Sequence, residues 1–136
     1  MKIYILLVPL FLLYSEKSLG QTNKANYILA LSVDLYINTT ARVSCDNFTS
    51  AFNKILTTNV ITQTDSIKTF LSFVDRAKYV KHNTNIDARC KFIYKIDSSR
   101  MITVCTDGRN ILLNERIIKK DRQFIHFLNS IVHRYP

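Results

Sequence analysis

Hydrophobic and polar positions first alternate in the stretch YILALSVDLYIN, residues 27–38. Leu29, Leu31, Val33, Leu35 and Ile37 fall on one side, and Ala30, Ser32, Asp34, Tyr36 and Asn38 on the other. Period two predicts a strand with one buried face. The period then changes. In SCDNFTSAFNKIL, residues 44–56, Phe48, Ala51, Phe52, Ile55 and Leu56 make one helical stripe, with Ser44 as cap and Asp46 in the first turn. A second helix is predicted over 64–80. Thr64 or Asp65 caps it, Ile67, Phe70, Leu71, Val74 and Ala77 form its stripe, and Arg76 and Lys78 suit its C-terminal end.

A meander follows. RCKFIYKI and MITVCT read as two strands, and Asp107-Gly108 as a tight hairpin turn into ILLNERII, where Asn114-Glu115 offers a further turn. Residues 121–134 close the chain as a helix capped by Asp121, with Phe124, Ile125, Leu128, Ile131 and Val132 inward. The order strand-helix-helix-strand-strand-strand-helix predicts an α+β domain with an antiparallel sheet of about four strands and helices packed on one face.

Side-chain parity sets the expected register. The Asp107-Gly108 turn would pair Thr106 with Arg109, Val104 with Ile111 and Ile102 with Leu113. A three-residue loop Asp97-Ser98-Ser99 then puts Phe92 opposite Val104 and Tyr94 opposite Ile102, with all four on the buried side. Cys90 then points inward and Cys105 outward, which argues against a bond between them because a disulfide needs Cβ atoms about 4 Å apart. The remaining choices are a Cys45–Cys90 bridge with Cys105 as a free thiol, or three reduced thiols.

The first twenty residues have the layout of a cleaved secretory signal: Lys2, an apolar Ile3–Tyr14, then Ser18-Leu19-Gly20. The apolar run is too short to span a bilayer, which takes about 20 residues. Cleavage would leave residues 21–136 as one domain, exported to a periplasm or the exterior. Loss of Lys2, Lys17 and Glu16 takes the net charge only from +9 to +8. Such a charge favours anionic surfaces or acidic partners. No long run of one sign marks a nucleic-acid arm, and the densest stretch, ERIIKKDR, holds two acids.

Candidate chemistry is sparse. His82, His126 and His133 are the only histidines, and no third ligand joins the last two, so neither a metal nor another cofactor is called for. Cys45 at a helix start has no motif around it, and Asp97 and Asp107 belong in turns for backbone reasons. No phosphate loop and no hydrolase signature occurs. Asn38 and Asn47 head glycosylation sequons, which count only in a eukaryotic source.

One expected surface stands out. Lys91, Ile93, Lys95, Met101, Thr103 and Leu112 share the outward side of the meander, and this set is too apolar for a solvated face. Either the last helix covers it or it binds another protein. The aromatics Phe92 and Tyr94 point the other way, so a nucleic-acid platform is disfavoured. The sequence therefore predicts an exported, non-enzymatic protein-binding module of the inhibitor or immunity type. A small basic hydrolase (nuclease or cell-wall enzyme) and a binder of anionic envelope surface or polymer stand as alternatives.

Overall fold

The computed structural model describes residues 26–81 and 85–133, and the expected leader and His82 lie outside them. The elements are β1 (Ile28–Ser32), α1 (Phe48–Ala51), β2 (Thr57–Ile61), α2 (Thr64–Asp75), β3 (Cys90–Lys95), β4 (Met101–Thr106), β5 (Ile111–Leu113), β6 (Arg116–Ile117) and α3 (Arg122–His133). The strands form one antiparallel sheet in the order β2-β1-β3-β4-β5-β6. The α+β class is as expected, but the sheet has six strands rather than about four.

The helices are also not all on one face. α2 and α3 cover the first face. There Phe70, Phe73, Phe124, Leu128 and Ile131 pack on Ile28, Ala30, Phe92, Tyr94 and Val104. Phe73 stacks on Phe124 with ring centroids 4.8 Å apart. The second face carries a smaller core, in which Val43, Cys45, Phe48 and Phe52 from the α1 region lie over Leu31, Val33 and Cys105. β1 and the residue after it are therefore buried on both sides, Ile28 and Ala30 toward α2 and α3, Leu31 and Val33 toward α1. The alternation in its sequence hides this, because the small Ala30 and Ser32 read as polar-side positions while they fill a tight first face.

α1 is much shorter than the 44–56 helix its stripe predicts. Ser44 Oγ accepts from Asn47 N–H as a capping residue should, but the helix stops after one turn. Thr57, Thr58, Val60 and Ile61 are β-branched and pair along β1, from Ser32↔Thr57 to Ile28↔Ile61. Ladder hydrogen bonds to a central strand outweigh a short, marginal helix. Ile55, expected inside, is 51% exposed.

α2 likewise ends at Asp75 rather than at residue 80. Its trailing chain forms a bridge between Tyr79 and Ile118 instead. At the start of α3, Asp121 Oδ1 accepts from the backbone N–H groups of Gln123 and Phe124, the cap the sequence predicts.

The meander follows the parity argument closely. Phe92 opposes Val104 and Tyr94 opposes Ile102, and Ile96 N–H bonds to Arg100 O around the three-residue loop. The next hairpin slips by two. Thr106 pairs with Ile111 and Val104 with Leu113, leaving Asp107–Asn110 as a four-residue loop. Asp107 Oδ1 accepts from Arg109 N–H and Asn110 N–H, and Gly108 takes φ +85°. An even slip keeps every side chain on its expected face. Asn114 (φ 46°) and Glu115 (φ 66°) then turn β5 into β6.

The cysteine pairing differs from the expected Cys45–Cys90. Cys45 bonds Cys105 across a Cα separation of 5.8 Å, and Cys90 is the free, buried thiol. The parity of Cys90 and Cys105 is as derived, with Cys90 in the first core and Cys105 in the second. What differs is the position of α1. It lies on the opposite face from α2 and α3, and so brings Cys45 to Cys105.

Candidate binding face of the sheet

The second face is covered over only part of its width, and cross-strand pairing shows which part. Leu31, Lys91, Cys105, Leu112 and Ile117 lie in one row across β1, β3, β4, β5 and β6. The α1 segment sits on that row. It is held there by the Cys45–Cys105 bond and by Lys91 Nζ, which donates to Cys45 O at 3.0 Å. The neighbouring row runs Val60, Leu29, Ile93, Thr103 across β2, β1, β3 and β4. Beyond it lies the pair Lys95 and Met101. In these two rows Leu29, Ile93 and Thr103 are half-buried, Lys95 is exposed, and Val60 and Met101 are 55% and 58% exposed.

The six residues expected to bind therefore divide. Lys95 and Met101 are exposed, with the half-buried Ile93 and Thr103 beside them, Ile93 also packing against the second core. Lys91 is drawn into fixing the α1 segment, and Leu112 is half-buried in the second core. The last helix covers the opposite face, so the open rows are not its packing site.

Val60 and Leu29 extend the surface, and neither was among the expected binding residues. Val60 lies in 57–61, a stretch between the helices expected over 44–56 and 64–80 that the periodicity assigns to no element. The β-branched run Thr57-Thr58-Asn59-Val60-Ile61 is the signal that identifies it.

A groove of about 470 Å³ runs along the edge of the α1 segment, lined by Cys45, Asp46, Lys91, Met101, Thr103, Asn114 and Glu115. Asn114 is fixed there in two ways: its Oδ1 accepts from Thr103 N–H at 2.9 Å and its own N–H donates to Thr103 O at 2.8 Å. The groove thus offers a thioether, two carboxylates and a rigid turn beside an apolar strip.

Asp34 and Asp97 both serve turns. Asp34 Oδ1 accepts from Tyr36 N–H. Asp97 accepts from the N–H groups of Ser99 and Arg100, from Ser99 Oγ–H and from Arg100 Nε–H, and these bonds hold its carboxyl well below the usual carboxylate range. His126 is exposed on α3. Among the described residues no three His, Cys, Asp or Glu side chains gather as a metal site, and no helix is long and apolar enough to cross a membrane.

Burial also pushes the Cys90 thiol up to about 11, so at neutral pH it is an inert core side chain and not a nucleophile. No protein-family model, no curated protein and no solved structure matches the chain.

Proposed function

We propose that the protein is an exported, non-enzymatic module that binds another protein through the open rows of its second sheet face. The supporting observation is the placement of Val60 and Met101, each more than half exposed, in adjacent rows of a paired sheet with the half-buried Leu29 and Ile93, beside a groove built on the disulfide-anchored α1 segment. Exposed apolar side chains scattered singly need no explanation, but neighbouring ones on a rigid sheet do. Lys95 within the patch favours a partner with a carboxylate at the matching position.

The test is affinity capture by wild type and by an Ile93→Asp/Met101→Asp variant at high salt, followed by reconstitution of any retained protein from purified components. A one-to-one complex with wild type that the variant fails to form supports the proposal. A partner bound equally by both refutes the assignment of this face.

A further inference from the structure

A second surface lies at the far end of α2, away from the open sheet rows. Backbone hydrogen bonds join two segments distant in sequence, Lys119 N–H to Lys78 O at 2.6 Å and Val80 N–H to Ile117 O at 3.1 Å. Each segment alone is an unremarkable mixture of charges. Together they concentrate positive charge. Arg76, Lys78, Lys119, Lys120 and Arg122 line one cleft of about 370 Å³, and Lys81 and Arg116 extend the basic surface along the same two segments.

The one acid in the cleft, Asp121, has an oxygen committed to two α3 amides. Among the described residues the ion pairs are Arg89–Asp87 and Arg100–Asp97, so no cation of the patch is held in one, and five cations share the cleft with the single carboxylate of Asp121. Between Lys78 and Lys81 stand Tyr79 and Val80, 42% and 39% exposed, and the Arg116 guanidinium lies 4.0 Å above the Tyr79 ring.

We infer that this patch docks the protein on an anionic phospholipid surface. Lysines and arginines gathered on one side are attracted to acidic headgroups. A tyrosine and an aliphatic residue set among them are the side chains that settle at the headgroup boundary. The cleft is wide enough to take a headgroup phosphate, and the five cations on its rim outweigh its one carboxylate, Asp121. A nucleic acid fits less well, because stacking bases need a free aromatic face and Arg116 already occupies that of Tyr79.

The test is sedimentation of the full chain with vesicles of phosphatidylcholine mixed with phosphatidylglycerol, against vesicles of phosphatidylcholine alone. The neutral vesicles measure whatever the apolar residues 3–14 contribute. Wild type is expected to prefer the acidic vesicles strongly at low salt. The Lys78→Gln/Lys119→Gln/Lys120→Gln variant, altered only at exposed side chains, should lose that preference by on the order of a hundredfold. Lys54→Gln/Lys68→Gln, which removes exposed charge elsewhere, should retain it. Equal binding to both vesicles, a triple variant that binds like wild type, or a control pair that loses as much would each overturn the inference. So would complete displacement by soluble glycerol phosphate, which would mean that the cleft takes a free phosphate ester and not a surface.

Discussion

Cys45 and Cys105, 60 residues apart in sequence, are joined across the second face of the sheet and pin the α1 segment over the centre of the meander. Closing so long a loop restricts the unfolded chain, worth about 4 kcal/mol in a chain-entropy account and less where native strain intervenes. The Cys45→Ala/Cys105→Ala variant should therefore melt well below wild type. The open rows should also enlarge, because Leu31 and Leu112 lose their cover. Thermal unfolding with and without reductant measures the first effect. A peptide map after alkylation should show Cys45 linked to Cys105 and only Cys90 modified once the chain is unfolded.

The buried Cys90 thiol makes stability fall at high pH. Its folded value is raised from 9.0 to about 11. A raised value means that its contribution is complete below the unfolded value and is lost as pH climbs toward the folded one. Between pH 9 and 11 the loss should be roughly 2 kcal/mol. The Cys90→Ala variant starts less stable because of the cavity, but it should lack this part of the slope. Urea unfolding of both proteins across that pH interval isolates the contribution of the thiol.

Arg89 is 8% exposed and holds the chain after β1 in place. Its guanidinium donates to both oxygens of Asp87, to Ile37 O and to Thr39 Oγ1, while Asp87 Oδ1 also accepts from Val43 N–H. Removing one partner strands the other, so Asp87→Ala should cost about 3 kcal/mol, and Arg89→Met/Asp87→Asn distinctly less. Denaturant unfolding decides between them. A double variant worse than Asp87→Ala would contradict this account of the pair.

Two local changes should act in opposite directions. Asp121→Ala removes an acceptor shared by two α3 amides and should cost about 1 kcal/mol. Glu115→Gly relieves a left-handed backbone at φ 66° and should stabilise by up to about 1 kcal/mol. Melting temperatures of the two variants, read against wild type, check both signs.

The parts legible in the sequence are those governed by short-range rules. The three-residue loop, the Phe92–Val104 and Tyr94–Ile102 pairs, the Asp121 cap and the opposite facing of Cys90 and Cys105 all follow from parity and capping. The parts that were not legible depend on which layer each element joins. The stripe of Phe48 and Phe52 says that α1 is buried, but nothing in it says against which face. The side of the sheet it chose fixed the disulfide and divided the candidate surface, taking Lys91 out of it. The β2 strand was hidden for a related reason. Ile55 and Leu56 complete a helical stripe that the pairing of Thr57–Ile61 with β1 overrides. The basic patch escaped because it exists only after 76–81 and 116–122 meet.

The central claim is that the open rows around Ile93 and Met101 bind a protein. It is tested most directly by placing a photo-crosslinking amino acid at position 101, with position 68 on the exposed side of α2 as the comparison. The account predicts one discrete adduct of a single protein from position 101 and none from position 68. No adduct at 101 when its surroundings are intact, or the same adducts from both positions, would contradict it.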